Sequence, residues 1–464
     1  MLFPDGTLGN VQVRYRGDNP FNWLYEKKSW RIKTSKERML GTVRSFNLIS
    51  PQDPVFIDTY FYLRLARTCG LVAGGSRLVE LVTNGETRGV HTVTDQLDEN
   101  FLRNSGLMPV NLYKGEQRMS ERRYGVEFDL YSNTALWSKD SVNNYTLVSG
   151  AANIETDMSD LEYVMKLSQE ALNGDDAFAR LREIVDWSYW ARFAAYEILA
   201  QHSYDALHNN RLAVDIWKGQ VLPLPIDPQA IRVEKPEDVI FFHEGSRLGI
   251  LDRLERDPGF RTATMVALRE MLADGCLDRT IAEMRDGIGA LETSLSRDPA
   301  VYQALGLQSY IGFDATAGID RFLNGYEIVR DELNRRLAAT KPVHWNASPG
   351  QLAIEAAGPF SLEFDGTLDA GSPPSVYWDR NGSGDIDPED QKLPVMVTGN
   401  RLKLDAGFAG NLSKVSGVRQ IIQENYGSTP VIQPTEFRLL FDQPSLKVSS
   451  VELLESAGPV GLLS

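Results

Sequence analysis

Residues 204–210 read Tyr204-Asp205-Ala206-Leu207-His208-Asn209-Asn210, and residues 221–227 read Val221-Leu222-Pro223-Leu224-Pro225-Ile226-Asp227. Asp205 and Asn210 stand five positions apart, and Asp227 follows two short apolar runs, 211–216 and 221–226. Phosphoryl-transfer sites place an orienting base and two metal ligands in this order. The chemistry needs a carboxylate to orient a hydroxyl nucleophile. It also needs hard oxygens to hold Mg2+ or Mn2+ against phosphates. An acceptor-rich turn between strands, facing an acidic strand end, supplies both. Asp and Asn also favour turns on their own account, so the triplet takes its meaning from the rest of the chain.

Upstream, residues 11–16 and 29–33 alternate as strands do. An apolar-periodic run over 55–69 fits a helix ending at Gly70. Residues 77–82 and 89–94 flank Asn84-Gly85, a hairpin signal. A polar joint follows at 95–98. Helical spacing marks 159–172 and 178–184, and the long aromatic run 187–200 leads straight into the Asp205 turn. Helical spacing returns at 249–255, 261–273, 278–295 and 319–339. This order predicts an α+β domain over 1–341 in two lobes, the first ending near residue 97 and the second spanning 98–341, with nucleotide bound between them.

At Pro342 the composition shifts to Gly, Ser, Pro and alternating apolar residues. Strands are predicted at 352–355, 360–364, 395–398, 401–404, 436–441 and 447–453, so residues 342–464 read as a separate β-sandwich-like module.

The chain has 464 residues, a net charge of -15 and a pI near 5.0. That acidity argues against a nucleic-acid or anionic-membrane surface, so any phosphate site must rest on local basic residues. Cys69 and Cys276 lack metal-ligand spacing. Their apolar helical settings favour buried free thiols, with a single disulfide as the alternative. No stretch is long enough to span a membrane. No signal peptide is visible, and the chain reads as though it starts inside a domain.

Several ordered motifs carry a family resemblance. They are Val13-Arg14-Tyr15-Arg16-Gly17, Lys27-Lys28-Ser29-Trp30-Arg31-Ile32-Lys33, Phe46-Asn47-Leu48-Ile49-Ser50 with Asp53, Asn84-Gly85-Glu86, Gly89-Val90 and Phe101-Leu102. With the Asp205–Asn210 turn and Pro225-Ile226-Asp227, they resemble the successive motifs of the CotH (spore coat protein H) kinase family over roughly residues 10–340. The resemblance implies a divergent protein-kinase-like fold. It implies transfer of the γ-phosphoryl group of ATP to protein side chains, serine or threonine, with Mg2+ or Mn2+. It also implies a secreted or surface protein acting on extracellular, coat or surface proteins. Two positions depart from the family pattern: Gln229 stands where a second aspartate is common, and Asp95 where a hinge glutamate is common. The first departure favours the alternative of a nucleotide-binding pseudokinase; a calcium-dependent surface or matrix interaction protein, with the β module as its working part, is the other alternative.

Under this reading Asp205 is the catalytic base, and Asn210 and Asp227 hold the metal. Asn209 rivals Asn210, and His208 is either a contact to Asp205 or a turn residue. Lys28 and Arg31 are the phosphate candidates of the first lobe. They fall on opposite faces of an alternating strand, so at most one points into the cleft, and the motif favours Lys28. Arg16 is a further phosphate candidate. No Gly-x-Gly-x-x-Gly loop is present.

A second site reads from residues 379–390, Asp-Arg-Asn-Gly-Ser-Gly-Asp-Ile-Asp-Pro-Glu-Asp. These match the twelve-residue calcium loop, with oxygen side chains at Asp379, Asn381, Ser383, Asp385 and Asp387, glycine at position six and an apolar Ile386 at position eight. Asp390 replaces the usual bidentate glutamate at position twelve. Flanking helices are not evident, so the loop is expected to stand alone within the β module.

Overall fold

The structure is a computed structural model. It describes residues 1–17, 27–50, 58–107, 110–116, 130–141, 157–171, 175–201, 210–215, 218–226, 233–239, 249–255, 258–296, 298, 315–339, 344–355, 360–365, 368, 372–379, 383–393, 395–404 and 436–453.

Strands β1 (Gln12–Tyr15), β2 (Trp30–Lys33), β3 (Ser45–Ile49), β4 (Ser76–Thr83) and β5 (Glu86–Asp95) form an antiparallel sheet in the order β1-β2-β3-β5-β4. The two-residue period of a strand sorts its side chains by face. Ile32, Phe46, Leu48 and Val93 form a local core on one face. On the other, the register sets Arg14, Arg31, Asn47 and Thr94 in a row across four strands. The β4–β5 hairpin turns at Asn84 and Gly85, with φ of 55° and 82°, as a type I′ turn requires.

Helix α1 (Asp58–Thr68) packs on β4 and β5 and buries Phe61, Tyr62, Leu65 and Ala66. It stops at Gly70, whose φ of 82° lets Leu71 N–H turn back to the Ala66 carbonyl. A second antiparallel sheet joins β6 (Asn111–Gly115), β7 (Trp137–Ser141), β8 (Asn210–Asp215) and β9 (Gln220–Pro223) in the order β7-β6-β8-β9. Two of these strands were expected from the sequence, and β6 and β7 complete the sheet from far upstream.

The remaining helices of the first 339 residues are α2 (Glu99–Asn104), α3 (Ser159–Glu170), α4 (Asp175–Glu183), α5 (Trp187–Ala200), α6 (Gly249–Glu255), α7 (Pro258–Asp274), α8 (Cys276–Ser296) and α9 (Ala315–Ala339). Helix α5 starts at Asp186, whose side chain caps Tyr189 N–H. It ends at Gln201, a non-glycine residue at φ 51°. The Ala200 carbonyl accepts from Tyr326 Oη of α9 at 2.6 Å. Tyr326 Oη also meets Tyr62 Oη at 2.5 Å, and Tyr196 Oη donates to the Tyr62 carbonyl. These buried phenols tie α1, α5 and α9 together where the chain runs toward residue 205.

Cys69 and Cys276 form a disulfide across 207 residues, with a Cα–Cα distance of 5.3 Å. This corrects the expectation of free thiols. An apolar helical setting suits a buried thiol and a buried disulfide equally, and only the packing of the end of α1 against the start of α8 tells them apart.

A buried ion pair fastens the first sheet to the end of α8. Lys27 Nζ lies 2.8 and 2.6 Å from the two carboxylate oxygens of Asp298, and Val90 N–H donates to the same carboxylate. A Cβ on Gly89 would stand 2.3 Å from Asp298 Oδ1, so this approach needs glycine. Burial lowers the Lys27 pKa and raises that of Asp298, while their mutual attraction opposes both shifts.

Beside this pair His91 is fully buried, with its two ring nitrogens against the Gly89 and Lys28 carbonyls. Burial, reinforced by the Lys27 charge, lowers its pKa from 6.5 to about 4. The unfolded chain therefore binds more protons than the folded chain between those values. His91 contributes stability that is fully present above pH 6.5 and lost as pH falls toward 4. The contribution is about 3 kcal/mol. Carboxylates titrate in the same window, so the comparison that isolates His91 is with His91→Gln. The variant is expected to lose clearly less unfolding free energy than the parent between pH 7 and pH 4. Equal losses would remove His91 as the cause.

Beyond residue 343 the regular elements among the described residues are strands. Strands β10 (His344–Ser348), β11 (Gln351–Glu355), β13 (Val376–Trp378), β14 (Gln391–Leu393) and β17 (Glu436–Phe441) form one antiparallel sheet, in the order β10-β11-β17-β13-β14. Strands β12 (Phe360–Phe364), β15 (Val395–Thr398), β16 (Arg401–Leu404) and β18 (Val448–Leu453) form another, in the order β15-β16-β12-β18. Phe364 and Phe441, one from each sheet, meet edge to face at 5.5 Å. Among the described residues no helix is long and apolar enough to cross a membrane.

Candidate functional site

A small cleft, partly open to solvent, lies between the first sheet with α1 and the strand ends of the second sheet. Its upper wall is the polar face set by the strand register: Arg31, Asn47 and Thr94, with Arg16 just past β1. Thr59 and Leu63 of α1 contribute, and Asp95, Gln96 and Leu97 form the connection at its back. The lower wall is Arg211, Pro225 and Ile226.

Arg31 is held in place. Its Nε donates to Asn47 Oδ1 at 3.0 Å, and Asn47 Nδ2 donates to Thr94 Oγ1 at 3.3 Å. Asn47 and Thr94 are buried, so this chain of polar groups links the connecting segment to the guanidinium in a setting where unmade hydrogen bonds are costly. Arg16 N–H donates to the Ser29 carbonyl, which extends the β1–β2 pairing to the arginine. On the lower wall Leu224 N–H donates to the Arg211 carbonyl, placing the segment after β9 beside Arg211. Asp95 Oδ2 accepts from Gly75 N–H at 2.8 Å. A Cβ on Gly75 would come equally close to that oxygen, so the carboxylate's position depends on the glycine.

Three arginines, two from the first sheet region and one from β8, thus line one cleft in a protein of net charge -15, and Arg211 Nη1 donates to the Asn210 carbonyl. A guanidinium remains charged at all ordinary pH values and presents a planar fork of donors that fits phosphate oxygens. Two or more of them can grip a polyphosphate.

Of the residues expected from sequence, Arg16 and Arg31 lie on the cleft wall. Lys28 does not line it. Strand β2 begins at Trp30, so the alternation used to orient Lys28 does not extend to it, and its Nζ sits 5.6 Å from the centroid of the Tyr15 ring. Its neighbour Lys27 is occupied by Asp298. Asn210, the first residue of β8, is fully buried opposite Gly115 of β6, one residue before the cleft-lining Arg211. Asp205, His208, Asn209, Asp227 and Gln229 lie outside the described residues, as does Asn381. Sequence reasoning missed Arg211, although it stands directly after the asparagine that was singled out. It also missed Asn47 as the support of Arg31, although Asn47 sits in a quoted motif.

The calcium-loop residues Asp379, Ser383, Asp385, Asp387 and Asp390 lie in the connection between β13 and β14, whose last pair is Trp378 with Gln391. Among the described residues no helix flanks the loop. Ile386 is 44% exposed, so position eight anchors nothing in the core. Among the described residues no three His, Cys, Asp or Glu side chains are gathered as a ready metal cage.

The molecule so far is a mixed α+β protein with an arginine-lined cleft between two antiparallel sheets. The model of the family described as "CotH kinase protein" matches residues 13–339, and the chain belongs to that family. No functionally curated protein matches it. Among solved structures, a chain from the complex of the Shewanella oneidensis MR-1 toxin–antitoxin proteins HipA and HipB with their operator DNA is 12% identical. The match covers 63% of this chain and 57% of that one, so the two share little more than half of the solved chain, and the TM-score is 0.23. A superposition that loose carries no argument.

Proposed function

We propose that this protein is an atypical kinase that binds ATP in the cleft between two lobes and transfers its γ-phosphoryl group to a serine or threonine of a protein substrate. The observation that carries this reading is the convergence of Arg16, Arg31 and Arg211 on one cleft in a chain of the CotH kinase family. The arginines would hold the phosphates, and the connection at 94–97 would face the rest of the nucleotide. Asp205 would orient the acceptor hydroxyl and take its proton. Asn210 and Asp227 would hold Mg2+ or Mn2+, whose role is to neutralise charge developing on the phosphates. The first lobe would end near residue 97, the second near 341, and the paired sheets after 342 would form a sandwich.

The disulfide supports a secreted or surface location, because such bonds persist in oxidising compartments. An extracellular, coat or surface protein is then the proposed substrate. Gln229 favours a second reading, a pseudokinase that binds nucleotide without transferring phosphate.

Incubation with γ-labelled ATP and Mn2+ or Mg2+ tests the choice. Label on the protein or on a generic acceptor is expected. No label, with ATP still raising the melting temperature, would replace the first reading by the second. No label and no thermal response would sink both.

The grip on phosphate has its own test. Arg31→Ala removes charge-assisted hydrogen bonds worth about 1.5–3 kcal/mol, so ATP should bind roughly 10- to 100-fold more weakly. Asn47→Leu keeps the guanidinium but removes its support, and should weaken binding by a smaller factor. Isothermal titration with ATP measures both. Unchanged affinity in Arg31→Ala would take Arg31 out of the site.

A further inference from the structure

We infer that Asp379 and the segment 383–390 form a calcium site independent of the cleft, with Asp379 as its buried anchor. Asp379 is 5% exposed at the end of β13. Its Oδ2 accepts from the backbone N–H of Gly384 at 3.0 Å, and Arg438 Nη1 lies 3.6 Å from the same oxygen. Its Oδ1 is buried and accepts no hydrogen bond among the described residues. An ionised carboxylate offers only acceptor sites, and one oxygen left buried without a donor carries a desolvation cost that protein groups do not offset here. A cation satisfies such an oxygen, and the surrounding loop consists of hard-oxygen side chains.

The loop already has part of the required shape. Gly384, at position six, has a φ of 81°. Its N–H meets the carboxylate of position one, and Gln351 Nε2 of β11 holds its carbonyl at 2.7 Å. At the other end Asp387 N–H donates to Asp390 Oδ2 at 3.0 Å, and Glu389 N–H donates to Asp387 Oδ1 at 2.8 Å. Ser383 and Asp385 share a short turn between them. One buried carboxylate is therefore preset, and the exposed oxygens gather around the ion as it binds, so that binding and local ordering are one event. Six or more oxygens on a compliant loop suit Ca2+, whereas Mg2+ demands a tighter octahedron and gives up its water reluctantly. An aspartate at position twelve and the absence of a paired second loop place the expected affinity on the order of 0.1–1 mM.

The test uses the full chain stripped of metal with a chelator and titrated calorimetrically with CaCl2, and separately with MgCl2. One Ca2+ per chain is expected in that concentration range, with Mg2+ binding at least about tenfold more weakly. At 10 mM Ca2+ the melting temperature should rise by about 2–5 °C through mass action. Asp379→Asn should abolish the titration. Asp390→Ala, at the partly exposed position twelve that ligates through its side chain, should weaken it at least about fivefold. Asp227→Ala should leave it unchanged, which separates this site from the cleft and keeps its fate distinct from that of the kinase reading. No binding by the parent chain would overturn the inference. So would equal binding by parent and Asp390→Ala, or loss of binding in Asp227→Ala.

Discussion

Asp227→Ala is expected to abolish label transfer from γ-labelled ATP, with a loss on the order of a thousandfold or more, while the protein stays folded. Ile226, the residue before Asp227 in sequence, lines the cleft. Leu224 N–H donates to the Arg211 carbonyl, so the strand end before residue 227 sits beside an arginine proposed to grip phosphate. The carboxylate proposed there would help hold Mg2+ or Mn2+, which would supply positive charge to phosphates. An alanine would remove that ligand, and charge developing in the transition state would lose the metal's support. In barrier terms the loss is at least about 4 kcal/mol. Nucleotide binding should survive in part, because Arg16, Arg31 and Arg211 remain. ATP should therefore still raise the melting temperature of the variant, by less than in the parent. Asp205→Ala should also lose most transfer, while ATP binding changes little, because its proposed partner is the acceptor hydroxyl. If both variants label as well as the parent, the site has been assigned to the wrong residues.

Removing the disulfide by the double substitution Cys69→Ala and Cys276→Ala should lower stability by about 2–5 kcal/mol. That corresponds to a fall in melting temperature of roughly 3–7 °C for a domain of this size. The bond closes a loop of 207 residues, so its loss releases a large amount of chain entropy to the unfolded state. Both cysteines are buried, which makes the substitution a cleaner probe than reductant added to the folded protein. The effect should also reach the cleft. Helix α1 contributes Thr59 and Leu63 to its wall, and the disulfide pins the end of that helix to the start of α8. A severalfold loss of ATP affinity beside the thermal shift is expected. Equal melting temperatures for parent and variant would mean that the bond does not constrain the chain in solution.

Most of the fold could be read from local pattern. Helices α5 and α6 and strands β12, β15, β16 and β17 fall at the residues that periodicity indicates, and the Asn84-Gly85 turn takes the positive φ values its residues permit. The elements that pattern missed are short and depend on partners. Strands β6 and β7 lie in segments without clear alternation and are recognisable only beside β8. The cysteines show the same division: their settings are visible along the chain, but their pairing is not.

For the site, the sequence by itself determined the family, the ordered acidic and amide residues at 205, 210 and 227, and the oxygen spacing of the loop 379–390, because these are properties of residue type and local separation. Tertiary structure alone decided which basic residues share a cleft. Arg31 faces it because the pairing of β2 with β3 puts it beside Asn47. Arg211 joins it because β8 lies across from the first sheet, and Lys27 is withdrawn to Asp298, 271 residues away. Charge converges in space through pairings distant in sequence, and no local pattern encodes those distances.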